Sequence, residues 1–340
     1  MKRLSDSILL FLLFALTGTF CIFSSEAKSG ALSGLEMCEK IIIPSLLPIL
    51  IICSLIIKSR ASLAAEALFG RLFTKLFNIP ESAAPAVIFG LAGGYPTGAV
   101  LTLGLIKEGR INKEQASRIM RIAFSPGFAF TFTAVGTVTY GSTKTGGALL
   151  SVITVSAVTV MLISSIKKPK PEGSADCLRL PFSDALCEAA ESSVKALAVM
   201  SAHIILFSAL ISIIKPPVSI YPLLEITSGV CLREVPLPLP ECAFFLSFGG
   251  LCIHLQLYGI LRKMEIRYRE FLFFRLLNAS LSYILMKLYL TVFPQSLEVF
   301  GGLYTRRHEF PSGGLTLSLV MITGCAVLVF DIENRKLKLI

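Results

Sequence analysis

Apolar residues recur along this chain in runs whose length suits a membrane-crossing α-helix. A span of this kind needs roughly 17–25 predominantly apolar residues, and most of the runs reach or approach that length. The runs cover residues 8–23, 41–57, 83–106, 124–140, 146–166, 196–214, 218–232, 242–261, 271–293 and 315–330. The pattern predicts an all-α, polytopic membrane protein.

Two of these runs contain a polar, glycine-bearing interruption. The first is Gly-Gly-Tyr-Pro-Thr-Gly at 93–98, and the second is Leu-Glu-Ile-Thr-Ser-Gly at 224–229. Lipid offers no hydrogen-bond partner, so a broken backbone at membrane depth survives only where protein or a water-filled cavity satisfies it. Paired breaks in the two halves of a chain are typical of transporter binding sites. The pattern therefore favours a transporter.

Composition and charge sharpen this interpretation. The 340 residues are 54% apolar and 16% charged, with a net charge of +10 and a mean hydropathy of +0.75. Nucleic acid is not an expected partner, because the basic residues lie in short loops beside apolar runs rather than in one stripe. If 83–106 and 218–232 each enter and leave on one side, 23 of the 32 lysines and arginines are cytoplasmic. This predicts two re-entrant hairpins in the cell membrane, with both termini cytoplasmic and the lipid bilayer as partner.

With the hairpins in place, 41–166 and 196–293 have the same order of helix, hairpin, helix and helix, the second turned over relative to the first. This order predicts an inverted-topology repeat of about eight transmembrane helices plus the two re-entrant hairpins. The predicted divisions are an N-terminal helix and external loop (1–40), the first transport repeat (41–166), a cytoplasmic linker with an amphipathic helix (167–195), the second repeat (196–293), and an external loop with a C-terminal helix (294–340). Asn112 and Gln115 also predict a capping box that opens an amphipathic helix at 113–122.

The nine cysteines show no CxxC motif and no metal-ligand spacing. Most lie in or beside apolar runs, so neither disulfides nor a metal site is indicated, no cofactor is expected, and the coupling ion stays open. The first apolar run follows Lys2 and Arg3, as in a signal peptide. An uncleaved helix is favoured because more spans follow, although the small residues Ser24, Ser25 and Ala27 leave cleavage open.

The candidate site in the first half centres on the break at 93–98. Gly93 and Gly94 permit close backbone approach, and Thr97 can cap the resuming helix. A helix N-terminus in low dielectric offers N–H groups and partial positive charge, which suit an anionic or carbonyl-bearing ligand. A kink for close helix packing is the alternative. The candidate substrate-binding residues here are Gly93, Gly94, Tyr95, Pro96, Thr97, Gly98, Ser125 and Gly127.

The second half offers ionisable residues within apolar runs. Glu225 is a candidate proton carrier, cation ligand or substrate contact, or else a solvated surface residue. His254 needs a partner at membrane depth, for which Glu225 is a candidate, or it serves as interhelical glue. Arg275 either snorkels to the cytoplasmic interface or points inward to a substrate carboxylate. The candidates here are Glu225, Thr227, Ser228, Gly229, Gly250, His254, Gln256 and Arg275.

The chain resembles the sporulation integral membrane protein (YlbJ-type) branch of the nucleoside-recognition (Gate) membrane family. The matching stretches, in order, are 44–48, 94–99, 107–111, 188–194, 224–229 and 248–256. The resemblance implies distant kinship with concentrative nucleoside transporters, a homo-oligomer, and work in endospore formation in the outer forespore membrane derived from the mother cell. It also implies a small organic anion, dipicolinate, as substrate.

The chain departs from nucleoside carriers at 95–97, where Tyr-Pro-Thr replaces their Gln-Thr/Asn-Glu cluster. It also departs from branch relatives at 123–127, where they often have a small asparagine-bearing element. A nucleoside-type transporter and a structural or assembly protein of the developing spore are the alternative functions. An enzyme with Glu225 and His254 as acid and base is not expected, because no nucleophile, metal cluster or phosphate loop accompanies them.

Overall fold

The computed structural model describes residues 2–165, 180–217, 220–231 and 236–293. In these ranges the backbone is helical between short turns, with a single isolated bridge that joins Ser59 to Leu180. The all-α class predicted from the sequence is confirmed for this part of the chain. The predicted external loop and C-terminal helix at 294–340, and residues 167–179 of the predicted cytoplasmic linker, lie outside the described residues.

The helices follow one another along the chain as the apolar pattern requires. The α-helices are α1 (Lys2–Ile22), α2 (Ser24–Met37), α3 (Ile43–Lys58), α4 (Ala61–Phe77), α5 (Ala84–Gly93), α6 (Tyr95–Lys107), α7 (Lys113–Ala123), α8 (Thr143–Ser165), α9 (Phe182–Ile214), α10 (Tyr221–Leu224), α11 (Ile226–Cys231), α12 (Leu239–Phe248), α13 (Gly250–Lys263) and α14 (Tyr268–Val292). One π-helical turn (Cys38–Ile42) joins α2 to α3, and a long π-helix (Ala129–Thr139) precedes α8.

Five helical stretches in the described part are long and apolar enough to cross a membrane. They are Ser24–Lys58, Thr143–Ser165, Phe182–Ile214, Leu239–Lys263 and Tyr268–Val292. A sixth candidate is the pair Ala61–Phe77 and Glu81–Gly93, which is bent by 108°. Large apolar side chains such as Phe11 and Phe273 remain exposed on the helices, as expected where lipid is the solvent. The chain is therefore a multi-pass membrane protein.

The stretch that follows the first helix, up to residue 40, was expected to be an external loop but contains helix α2. Its position is explained by close packing on α9. A Cβ atom added to Gly30 would lie 2.4 Å from the carbonyl oxygen of Ser208, and one added to Gly34 would lie 2.9 Å from the Cα atom of Ile205. Small residues let two backbones approach in this way. The stretch is polar and contains glycine, so its sequence favoured a loop.

Helix α7 begins as predicted but is buried more deeply than an amphipathic surface helix. Asn112 Oδ1 accepts from the Gln115 N–H at 2.9 Å, and Gln115 Oε1 accepts from the Asn112 N–H at 2.8 Å, which confirms the capping box. Both Ile119 and Arg118 are buried, and Arg118 Nη1 donates to the Asn78 carbonyl at 2.7 Å. Arg118 therefore caps neighbouring backbone, and Arg121 donates to the Glu270 carboxylate at 2.7 Å.

Candidate functional site

The chain reverses direction at Gly94, between α5 and α6. A Cβ atom added to Gly90 would lie 3.0 Å from the Cα atom of Gly98. These eight residues would span roughly 12 Å in a continuous helix. Gly94 has φ +93°, in the region that favours glycine. The first predicted break is therefore a tight hairpin.

A second reversal occurs at Glu225, between α10 and α11. A Cβ atom added to Gly229 would lie 2.5 Å from the Cα atom of Pro222, whereas seven residues of continuous helix would span roughly 10 Å. Glu225 is 1% exposed, and its Oε1 accepts from the Thr227 N–H at 2.9 Å. The alternative of a solvated surface carboxylate is therefore wrong.

The helical path is also interrupted after α7, at 124–128, before the long π-helix begins. Gly127 has φ +77°, and a Cβ atom there would lie 2.7 Å from the Cα atom of Gly94. The interruption thus packs directly on the tip of the first hairpin. The sequence grouped Ser125 and Gly127 with this hairpin in one candidate site, and the structure brings the two segments together.

A fourth break, between α12 and α13, was read from the sequence as part of one continuous span. Gly249 has φ +99° and Gly250 has φ +67°. A Cβ atom at Gly249 would lie 3.0 Å from the Phe124 ring and 3.4 Å from the Tyr95 ring. One at Gly250 would lie 3.2 Å from the backbone nitrogen of Ile226. This break therefore contacts both hairpins, and the adjacent glycine pair was its sequence signal.

These four breaks form one cluster, which we call the junction. It comprises the hairpin tips at Gly94 and Glu225 and the interruptions at 124–128 and 249–250. One hairpin and one interruption come from the first half of the chain, before residue 180, and the others come from the second half. The interrupted backbone of the two halves thus meets inside the protein.

A small cavity lies at the junction. Both hairpin tips and the interruption at 124–128 contribute residues to the cavity lining, whereas the break at 249–250 does not. Residues of α3, of the turn before it, of the long π-helix, of α9 and of α13 complete the lining. The lining residues are Ile42, Leu46, Gly94, Tyr95, Pro126, Phe130, Met200, Ile226, Thr227 and Ile253. The volume open to the centre of a water molecule is about 10 Å³, enough for about one water. Every lining residue is buried, so in this conformation the cavity is closed to an organic ligand.

Three buried hydroxyl groups lie on the elements that meet at the first hairpin. Thr97, Ser125 and Thr131 are each at most 2% exposed. Their side-chain oxygens have no hydrogen-bond partner among the described residues. A buried hydroxyl without a partner costs free energy, so these groups mark places where a ligand or a water molecule would be stabilised.

His254 is buried beside the break at 249–250, and both of its ring nitrogens are bonded. Nε2 lies 3.0 Å from the carbonyl oxygen of Phe248, and Nδ1 lies 3.0 Å from the hydroxyl of Tyr268. A carbonyl only accepts, so Nε2 carries the hydrogen, and in the neutral ring Nδ1 accepts from Tyr268. The partner expected from the sequence, Glu225, is neither of these groups. The interaction is interhelical, as the alternative interpretation proposed.

Arg275 points inward rather than snorkelling to the interface. It is fully buried, Nη1 donates to the carbonyl oxygen of Phe124 at 2.6 Å, and Nη2 donates to the carbonyl oxygen of Arg121. Its guanidinium lies 4.9 Å from the centroid of the Phe124 ring and 5.7 Å from that of Phe271. No carboxylate of the described residues forms an ion pair with it. A fixed positive charge is therefore buried next to the junction.

Several predicted site residues have packing roles. Gly98 lets α6 approach α7, since a Cβ atom there would lie 2.1 Å from the Ala123 carbonyl oxygen. Gly93 packs on the Thr97 side chain in the same way. Gln256 donates to the Cys252 sulfur one turn earlier and does not line the cavity. The side chains of Pro96 and Ser228 lie outside the described part of the structure.

Sequence reasoning missed most of the apolar cavity wall. Ile42, Leu46 and Met200 come from elements outside both hairpins. Phe124, which contacts Tyr95 at a ring-centroid distance of 4.7 Å, was also not singled out. These residues are of the apolar types found throughout membrane helices, so residue type alone does not identify them as cavity-lining. Their role depends on which helix face turns inward, which packing determines.

Comparison with known proteins identifies one informative relative. The chain is 27% identical to the sporulation integral membrane protein YlbJ of Bacillus subtilis (strain 168), over 88% of this chain and 83% of that protein. This similarity supports the resemblance to the YlbJ-type branch. No protein-family model matches the chain. No solved structure matches it either.

Proposed function

We propose that this chain is a membrane transporter of a small organic anion. The observation that carries the proposal is the junction, where a hairpin and an interrupted helix from each half surround one shielded cavity. Irregular backbone at membrane depth is tolerated where it is buried in protein or lines a cavity. Secondary transporters bind substrates and coupling ions at such breaks. A scaffold of continuous helices would not need them.

The order of elements supports an inverted repeat as part of this proposal. In the first half a hairpin (α5–α6) precedes an interrupted helix (α7 and the long π-helix) and a continuous one (α8). The second half has the hairpin α10–α11, the interrupted helix α12–α13 and the continuous α14. The distribution of basic residues favours opposite orientations, re-entrant hairpins, about eight spans and cytoplasmic termini. Such repeats permit access to alternate between the two sides.

Three features favour an anion as substrate. Arg275 is a buried cation whose hydrogen-bond partners are backbone carbonyls. The hydroxyls of Thr97 and Ser125 have donors without partners in the described residues. Helix α6 begins at the cavity with Tyr95, so its N-terminal dipole end faces the same region. Hydroxyl donors and a helix N-terminus stabilise a carboxylate.

The closed cavity sets a requirement on the mechanism. Ligand pockets usually enclose roughly 300–1,000 Å³, whereas this cavity admits about one water molecule. Binding of an organic anion therefore requires the hairpins to separate from the interrupted helices. In this proposal the structure is the closed member of an alternating cycle, and a second conformation opens the junction to one side.

The relative's name suggests when such a transporter acts. YlbJ of Bacillus subtilis is described as a sporulation integral membrane protein. We extend sporulation to this chain, with the outer forespore membrane as its location and dipicolinate as the first substrate to test. A homo-oligomer belongs to the same proposal.

Uptake of radiolabelled dipicolinate into proteoliposomes tests the proposal. The wild type should exceed empty liposomes, and Gly94→Leu should lose at least tenfold of that uptake, because φ +93° and the nearby Pro126 carbonyl oppose a side chain. Gly104→Leu, in open space on the same hairpin, is the matched control and should retain uptake. Circular dichroism checks that both variants fold. Wild-type uptake equal to that of empty liposomes, for dipicolinate and for a panel of other carboxylates, would refute anion transport.

An assembly protein of the spore envelope is the second candidate. The small, mostly apolar cavity favours it, since a space for about one water molecule is too small for an organic ligand. The two candidates differ in sporulating cells. A transporter requires Gly94, so Gly94→Leu should give spores with little dipicolinate, whereas an assembly protein that still folds should tolerate the change.

A further inference from the structure

Interrupted helices end inside this protein, and their last carbonyl groups need partners. The final carbonyls of a helix have no intrahelical donor, and an unpaired carbonyl in a water-free interior is costly. Besides the first helix of each hairpin, α7 and α12 end in this way at the junction. The groups that satisfy their carbonyls therefore hold the junction together.

The C-terminus of α7, in the first half, is capped from the second half. Arg275 of α14 donates to the carbonyl oxygens of Arg121 and Phe124. Its positive charge also lies at the negative end of the α7 dipole, which is a favourable arrangement. Arg275 thereby fixes the start of segment 124–128, which packs on the Gly94 tip and supplies Pro126 to the cavity.

The C-terminus of α12, in the second half, is capped from the first half. The Tyr95 hydroxyl donates to the carbonyl oxygen of Leu246, and Tyr95 also lines the cavity. His254, from the helix that follows the break, bonds the Phe248 carbonyl oxygen. Tyr95 thus donates a hydrogen bond between the halves at this helix end.

The two caps are reciprocal and adjacent. The Phe124 ring contacts the Tyr95 ring and lies beneath the Arg275 guanidinium. We propose that Tyr95 and Arg275 are positioning residues that cap each other's half and hold the cavity closed. In this proposal the Tyr95–Leu246 hydrogen bond breaks when the cavity opens, because Tyr95 forms part of the cavity wall. The proposal deepens the transport proposal but rests on contacts that stand without it.

A cysteine at Thr227 reports cavity opening without any transport assay. Thr227 lines the cavity and is 3% exposed, so Thr227→Cys should react with N-ethylmaleimide only when the junction opens. Labelling is followed in membranes of cells that express the full chain. Mass spectrometry of the peptide separates this cysteine from the native ones.

Tyr95→Phe and Tyr140→Phe form the decisive pair in this background. Each removes one buried hydroxyl that donates between halves, and Tyr140 donates to the Leu237 carbonyl oxygen at 2.6 Å. Leu237, however, precedes α12 instead of ending it. Tyr95→Phe should speed labelling about tenfold, which corresponds to about 1.4 kcal/mol. Tyr140→Phe should leave the rate within about twofold of the parent.

Arg275→Lys, with Arg118→Lys as its control, tests the other cap. Both arginines are buried donors to backbone carbonyls, but Arg118 binds Asn78 at the end of the continuous helix α4. Lysine retains charge and loses the two-pronged geometry, so Arg275→Lys should speed labelling and Arg118→Lys should not. Equal effects within each pair, or no effect of Tyr95→Phe, would overturn the proposal. If the Arg275→Lys protein does not insert into the membrane, the comparison of Tyr95→Phe with Tyr140→Phe tests the proposal alone. Faster labelling, with no wild-type uptake of dipicolinate or of the other carboxylates, would support the caps and contradict the transport proposal.

Discussion

Replacement of Gly127 by alanine tests the contact between the first hairpin and the interruption after α7. A Cβ atom there would lie 2.7 Å from the Cα atom and 2.8 Å from the backbone nitrogen of Gly94. Both of these atoms belong to the Gly94 backbone, so they can move away only if the first hairpin shifts as a whole. The residue also has φ +77°, which L side chains rarely adopt. Two separate costs therefore act at this position.

The magnitude follows from adding these costs. The left-handed backbone costs a non-glycine residue roughly 1–2 kcal/mol, and overpacking of a filled interior costs about 1–3 kcal/mol. We expect Gly127→Ala to lower the free energy of unfolding by about 2–5 kcal/mol. Gly109→Ala is the matched control, because Gly109 has φ +69° with nothing within 4 Å. It should lose only the backbone cost.

Far-UV circular dichroism suits the assay, because the described chain is helical and the sequence contains no tryptophan. The protein is purified in detergent and unfolded with increasing SDS, and the free energies of the variants are compared. Gly104→Ala, at a helical position in open space, should be neutral or slightly stabilising. If Gly127→Ala lowers the free energy of unfolding by no more than Gly109→Ala does, then segment 124–128 does not pack on the Gly94 tip. That result would contradict the arrangement of the junction described above.

Three further predictions, for His254, Glu225 and Asn112, use the same unfolding assay. His254→Ala removes a buried ring and the hydrogen-bond partner of the Phe248 carbonyl, so it should lower the free energy of unfolding by about 2–4 kcal/mol. His203 is the control, because its ring bonds a carbonyl of its own helix. His203→Ala should change stability by less than about 0.5 kcal/mol. Glutamine at position 225 keeps an oxygen that can accept from the Thr227 N–H, and alanine does not. Glu225→Ala should therefore lower the free energy of unfolding by about 1–3 kcal/mol more than Glu225→Gln. Asn112→Ala removes the capping box of α7 and should cost about 1 kcal/mol; no loss would mean that α7 is held by packing alone.

The two hairpins could be predicted because their physical cost shows in the sequence. A polar stretch with glycines, such as 93–98, cannot continue a helix in lipid without compensation. The structure confirms a reversal at Gly94 and another at Glu225. The start of α7 was predictable for a similar reason, since the capping box uses side chains only three residues apart.

Other features depend on helix rotation and distant contacts, which a single sequence does not encode locally. An arginine near the start of a span snorkels or turns inward according to how its helix packs, and Arg275 turns inward because α7 ends beside it. His254 binds Phe248 and Tyr268 instead of Glu225 for the same reason. The long π-helix reads as an ordinary apolar span, because its residues are those of an α-helix.

Cross-linking within the cavity tests the central claim most directly. Pro126→Cys in the first half and Thr227→Cys in the second both lie on the cavity wall. The account predicts that a short bifunctional thiol reagent joins them efficiently in native membranes. The pair Val138→Cys and Thr227→Cys, with Val138 exposed on the long π-helix, should not be joined. Failure of the first pair in folded protein, or equal yields from both pairs, would contradict a shared cavity between the interrupted helices.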